Sequence, residues 1–111
     1  MQEDRQYCVY IMMNKGDTVS YVGMTSKLID RVWQHKQKLV KGFTQRYNLI
    51  KLVYYEVLDT PQGAIAREKE IKKWSRHKKI ELIKKLNPGL HDLSQDWRVY
   101  RFLPRMRSGS K

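Results

Sequence analysis

Glu68 stands in a helical stretch whose inward positions are otherwise apolar, and an acid there is costly unless something uses it. At about 100° per residue, Ala64, Ile65, Ile71 and Trp74 mark the apolar side, and Glu68 falls about 50° from its centre. Glu70 lies roughly twice as far round and reads as an ordinary surface charge. A lone carboxylate so placed suits one hard cation, because Mg2+ keeps several waters and takes only one or two protein carboxylates beside phosphate oxygens. The clustered acids that two-metal sites use are missing near the other candidates. The plainer alternative for Glu68 is a buried pair with Arg31 or a lysine.

Hydrolysis of a phosphodiester also needs charge stabilisation and a proton acceptor. Arg31 suits the first task, since a guanidinium matches phosphate oxygens bidentately and keeps its charge. Standing alone it would be a solvated helical arginine. For the proton, the candidates are Tyr10, Tyr21 and His35. A phenol, with an ordinary pKa near 10, becomes a base only where a cation or metal-bound water stabilises the phenolate. Taken singly, each tyrosine reads as a half-buried sheet residue and His35 as a packing or surface histidine. Other chemistries fail on inventory. His35, His77, His91 and Cys8 lack zinc spacing, there is no glycine-rich phosphate loop, and no Ser-His-Asp set can be argued.

These residues need a scaffold. Residues 6–13 are aromatic and β-branched enough for a strand that is apolar on both faces. Asn14-Lys15-Gly16-Asp17 is turn material, and residues 18–23 read as the returning strand. With Lys15-Gly16 as a two-residue turn, antiparallel pairing sets Tyr10 directly opposite Tyr21, both rings on one face. A loop one residue longer would separate them. Thr25 or Ser26 caps a helix running to about Leu39, with Leu28, Val32 and Leu39 inward and Arg31 one turn from His35.

Residues 41–48 read as a polar loop able to touch a ligand, and residues 49–58 as a third strand of undetermined direction. Thr60-Pro61 opens a helix to about Trp74, and residues 78–86 form another that stops by Asn87, before Pro88. The expected fold class is α/β (α+β): a three-stranded, mainly antiparallel sheet packed with about three helices. Residues 1–93 form the domain; residues 94–111 are a basic, aromatic tail whose end, 108–111, is expected to be disordered.

The bulk numbers agree with a polyanionic partner. At 111 residues the chain is one domain in size, and 23 Lys+Arg against 11 Asp+Glu leave a net charge of +12. Nucleic acid is the first partner such a surface attracts, anionic lipid or acidic protein the second. The tail, with five basic residues and one acid, accounts for +4 of the +12, leaving +8 on residues 1–93. The run from Arg67 to Lys85 is dense in Lys and Arg around Trp74 and His77; it could line a phosphate backbone or form a solvated face. One cysteine excludes an internal disulfide and suits a reducing compartment. No apolar run approaches a bilayer span and no signal pattern opens the chain, so a soluble, cytoplasmic protein with no membrane partner is expected.

In order and spacing, Cys8-Val9-Tyr10, Tyr21-Val22-Gly23, Arg31, Arg67-Glu68 and Asn87-Pro88 resemble the GIY-YIG nuclease superfamily. The likeness is to its small single-domain branch, related to the catalytic module of the bacterial excision-repair incision nuclease, and it covers about residues 5–93. Each triplet alone would be weak; the combination is fairly specific. The resemblance implies a compact α/β fold and hydrolysis of DNA by a single Mg2+ or Mn2+, leaving 5′-phosphate and 3′-hydroxyl ends. On matching positions it makes Tyr10 the general base or water-positioning phenol and Tyr21 its assistant. Arg31 stabilises the phosphorane, His35 assists from the same helix face, and Glu68 binds the metal. Asn87 resembles an asparagine that shapes the far side of the site, and Gly23 would end the second strand where a side chain would block the substrate. Cys8 stands in place of the first triplet's glycine, and Val9 and Val22 in place of isoleucines; none of these reads as loss of activity.

The leading expectation is therefore a metal-dependent DNA endonuclease, with repair or recombination as its setting. The alternative is a non-catalytic nucleic-acid-binding module that kept the fold; such a lapsed enzyme would be expected to lose some of Tyr10, Tyr21, Arg31 and Glu68. A protein- or membrane-surface domain would need an exposed apolar face opposite the lysines, which the helices as read do not offer. Substrate structure, DNA against RNA, and oligomeric state are not legible.

Overall fold

The strand β1 (Tyr7–Met13) is apolar on both faces because it lies in the middle of the sheet. In the computed structural model, which describes residues 6–95, β2 (Ser20–Thr25) and β3 (Lys51–Leu58) flank it in the order β2-β1-β3. Both pairings are antiparallel, which supplies the direction of β3. From Cys8 to Met13 no residue is more than 2% exposed.

Helices cover both faces. Beyond the sheet come α1 (Leu28–Lys36), α2 (Phe43–Arg46), α3 (Pro61–Lys72) and α4 (Arg76–Leu86). Alternation along β1 feeds two cores. Cys8, Tyr10 and Met12 pack with Leu28 and Val32 of α1, while Val9, Ile11 and Met13 pack with Ala64 and Ile71 of α3 and Ile83 of α4. Each Val, Leu, Ile or Met among them contributes about 1.5–3 kcal/mol relative to exposure. The neighbours Val53 and Tyr54 both face α3 because a bulge interrupts the β1–β3 ladder, Ile11 pairing with Tyr54 but Met12 with Leu52.

Four helices stand where about three were expected, the addition being α2 inside the expected polar loop. The first helix also differs. Thr25 ends β2, its hydroxyl accepting from the Lys27 N–H at 3.0 Å, and Lys27 is the N-cap. The helix stops at Lys36 in a Schellman motif: Lys38 takes φ 58°, and the N–H groups of Leu39 and Lys38 donate to the carbonyls of Gln34 (2.8 Å) and His35 (3.0 Å). That turn throws Leu39, expected inward, to 59% exposure.

Thr60 caps α3 as expected, accepting from the Gly63 N–H at 2.9 Å, but the helix ends at Lys72, two residues before Trp74. Ile65, expected inward, is 41% exposed. Ser75 caps α4 by accepting from the Lys78 N–H at 3.1 Å, which starts that helix at Arg76. After α4, Asp92 seals the edge of β3. Its carboxylate accepts from the Leu52 N–H (3.2 Å) and the Ser94 hydroxyl (2.7 Å) and pairs with Lys36. No helix among the described residues is long and apolar enough to cross a membrane. Most of the tail 94–111 lies outside the described residues.

Candidate active site

The β1–β2 register decides which side chains meet. Tyr10 pairs with Gly23 and Tyr21 with Met12, so Tyr10 and Tyr21 are diagonal rather than directly opposite. The reason is the loop. Asn14 bridges it, its side-chain oxygen accepting from the N–H groups of Thr18 and Val19 at 2.9 Å each, and the ladder resumes only at Met13–Ser20. Relative to a Lys15-Gly16 turn the register moves by two residues, which keeps both tyrosines on the same face.

On that face three rings form a triangle. Centroid separations are 6.3 Å for Tyr10–Tyr21, 5.6 Å for Tyr10–His35 and 5.8 Å for Tyr21–His35. Gly23 makes room for it: a Cβ there would sit 2.6 Å from the Tyr10 Cζ and Oη and 2.8 Å from the Tyr21 Cε2. Gly23 lies inside β2, and its missing side chain houses the Tyr10 phenol. The expectation that it ends the second strand is thereby corrected, since β2 runs on to Thr25.

A buried hydrogen-bond chain runs out from Tyr10. The Tyr10 hydroxyl lies 3.0 Å from His35 Nε2, and His35 Nδ1 lies 3.2 Å from Thr44 Oγ1. Thr44 donates its own proton to the Val40 carbonyl, leaving a lone pair for an Nδ1–H. Nε2 is therefore the acceptor, and the Tyr10 hydroxyl donates to it. All three are at most 4% exposed. Burial first, and the Arg31 guanidinium second, pull His35 down to about 4, so the imidazole is neutral at ordinary pH. Burial first, then the neighbouring Tyr21, push the Tyr10 phenol well above its usual range; Arg31 opposes and Glu68 adds to the rise. A free-standing phenolate at Tyr10 is thus disfavoured.

Arg31 and Glu68 belong to helices that pack on opposite faces of the sheet. Arg31 is exposed on α1, one turn before His35. Glu68 comes from α3, and its carboxylate, 21% exposed, pairs with Lys72 of the same helix at 3.2 Å rather than with Arg31. The charges of Arg31 and Glu68 both act on Tyr10. Asn87 takes another part. Its amide donates to the carbonyls of Val53 and His91 (2.9 Å each) and accepts from the His91 N–H (3.1 Å), joining the end of α4 to β3. None of these bonds goes to the ring cluster.

Two groups of residues escape a reading of the sequence. Thr44 is one, since its short helix lies in a segment of loop-like composition. The other is a buried clamp: Glu56 of β3, fully buried, receives Arg67 Nε at 2.9 Å and Nη2 at 2.8 Å and the Tyr54 hydroxyl at 2.6 Å. With Ile65 outside, the buried line of α3 is Ala64–Ile71, and Arg67 and Glu68 bracket it by about 50° on either side. One neighbour is anchored to β3 while the next pairs with Lys72 of its own helix. An acid within the apolar run Val53-Tyr54-Tyr55-Glu56 was the available signal. Cys8, fully buried with its thiol pushed up to about 12 by burial, is core rather than chemistry.

No group of three or more His, Cys, Asp or Glu side chains among the described residues could cage a metal ion. The donor set fits a hard cation only in its sparse form, one carboxylate with waters and substrate oxygens completing the shell. Glu68 is partly exposed and its lysine partner is half exposed, so the pair can open.

Comparison with known proteins gives a consistent picture. The profile of the GIY-YIG catalytic domain matches residues 6–81. A UPF0213 protein of Staphylococcus saprophyticus is 35% identical over 80 residues, covering 72% of this chain and 95% of the relative. One from Syntrophus aciditrophicus is 37% identical over 81 residues, covering 72% and 91%. The solution structure of a UPF0213 protein from Bacillus halodurans superposes with a TM-score of 0.51 over 82% of this chain and 97% of that one, at 23% identity.

Proposed function

The chain belongs to the GIY-YIG catalytic-domain family, in its small UPF0213 branch, and we propose that it is a divalent-metal-dependent endonuclease that hydrolyses DNA. The observation that carries this reading is the Tyr10–His35–Thr44 chain beside Tyr21, within the fields of Arg31 and Glu68. In the proposed reaction Tyr10 accepts a proton from the attacking water as its own proton passes to His35 Nε2. Thr44 holds the imidazolium that results. Arg31, whose charge holds His35 down, also receives the phosphate oxygens; a bound phosphodiester offsets that charge and makes His35 a better acceptor when substrate is present. Tyr21 orients the water or the phosphate. Asn87 keeps the junction of α4 and β3 in place at the border of the site.

Glu68 would hold the Mg2+ or Mn2+ ion. Such an ion supplies positive charge to the phosphate and leaving oxygens. The basic surface supplies affinity, and the chemistry of repair or recombination, in the cytoplasm, is the setting we favour. The rival reading, a binding module without activity, is disfavoured because Tyr10, Tyr21, Arg31 and Glu68 are all retained.

The test is incubation of the protein with branched, single-stranded and duplex DNA, and with RNA, in Mg2+, Mn2+ or EDTA. Metal-dependent nicks bearing 5′-phosphate and 3′-hydroxyl ends are expected. Salt-sensitive binding without a nick on any substrate would support the rival.

A further inference from the structure

The helix that supplies Thr44 begins and is followed by large aromatic side chains, Phe43 and its C-cap Tyr47, that the fold leaves uncovered. Phe43 is 48% and Tyr47 43% exposed, and their ring centroids lie 4.8 Å apart at an interplanar angle of 47°. Arg46 reaches over the Tyr47 ring at 6.0 Å. They sit in the segment 37–48, which contains Lys38, Lys41 and Arg46 and no acid. Thr44, between them in sequence, is buried and hydrogen-bonded to His35, which is bonded in turn to Tyr10. The aromatic pair is therefore fixed two hydrogen bonds from the phenol proposed to act on the phosphate.

Exposed aromatic area costs free energy, and one cation over it with two more in the same segment define what can cover it. The basic tail of the chain itself is poorly matched, because Arg98, Arg101, Arg105 and Arg107 would meet Lys38, Lys41 and Arg46. A polyanion with flat, unsaturated rings matches both features. In duplex DNA those rings are stacked on each other and unavailable; in an unpaired nucleotide they are free to stack on a side chain.

We propose that Phe43 and Tyr47, with Lys38, Lys41 and Arg46, form a stacking platform for an unpaired base next to the scissile phosphate. The proposal rests on the nuclease reading for its place in the reaction, and it specifies the substrate class: DNA with unpaired nucleotides at the cleavage position. Arg46, over the Tyr47 ring, would supply the charge for the backbone phosphate while the rings take the base.

The test separates bases from charge and binding from cleavage. In EDTA, affinity is measured for a labelled oligothymidylate and for a chain of equal length made of abasic sites, which has the same phosphates and no bases. The wild type is expected to prefer the oligothymidylate by about tenfold or more for each stacked base. The double variant Phe43→Leu, Tyr47→Leu keeps apolar bulk but has no π face. It is expected to bind both chains within about twofold, at the wild-type affinity for the abasic one. Phe43→Trp, Tyr47→Trp is expected to keep the preference. Equal wild-type affinities for the two chains, or a preference that survives the leucine changes, would overturn the proposal. Failure of the nuclease reading shows separately, as a lack of nicking with Mg2+ or Mn2+ while the base preference remains.

Discussion

The Tyr10 phenol occupies the space above Gly23, its cross-strand partner on β2. Because a Cβ at Gly23 would come within 2.6 Å of the phenol Cζ and Oη, Gly23→Ala must displace the ring or the strand. Either movement breaks the 3.0 Å contact with His35. We expect a stability loss of about 1–3 kcal/mol, as for other overpacked sites, and at least a tenfold fall in nicking with DNA affinity retained. Chemical denaturation and single-turnover cleavage measure the two effects.

Neutral His35 gives stability a pH dependence of definite sign. Its folded pKa is about 4, against an ordinary 6.5, so between these values the unfolded chain binds more protons. Stability from this group is fully present above about pH 6.5 and is lost as pH falls through about 4, on the order of 3 kcal/mol in all. The difference in unfolding free energy between wild type and His35→Asn, followed across that window, should shrink as pH is lowered. A constant difference would contradict the buried, neutral imidazole.

Thr44 should act through His35 alone. Thr44→Val leaves the Nδ1–H without its acceptor, which costs about 1–3 kcal/mol and frees the ring to turn. We expect slower cleavage and a shifted acidic limb of the rate–pH profile, with Thr44→Ser restoring both. Equal behaviour of the valine and serine variants would mean that Thr44 only packs.

The Glu56–Arg67 clamp should hold α3 in rotation. Glu56→Ala takes the acceptor from the Tyr54 hydroxyl and the buried partner from Arg67, which keeps Glu70, so it is expected to cost about 1–3 kcal/mol in urea denaturation. Burial of Tyr54 and its hydrogen bond to Glu56 push the phenol upward, so Tyr54 enters the clamp as a neutral donor.

The strands, the Thr60 cap and the inward set Leu28, Val32, Ala64 and Ile71 were legible because periodicity and capping chemistry are local. Glu68 stood out as an acid beside an apolar helical side, whereas Tyr10, Tyr21 and Arg31 gained weight only through their combined order and spacing. The Tyr10–Gly23 register was not legible, since it depends on how Asn14 folds the hairpin loop. The short α2 has too few residues for a helical period, so Thr44 and the exposed face of Phe43 were lost with it. Arg67 was hidden by Ile65, which drew the apparent centre of the apolar side towards itself.

The most direct test compares single-turnover nicking and equilibrium DNA binding of wild type and Glu68→Gln in Mn2+. The variant should bind DNA within about threefold of wild type and lose nicking by a factor of at least about a thousand, the scale set by losing a metal-held charge in a transition state. Nicking by Glu68→Gln at the wild-type rate would place the chemistry elsewhere and contradict a carboxylate-held ion beside Tyr10.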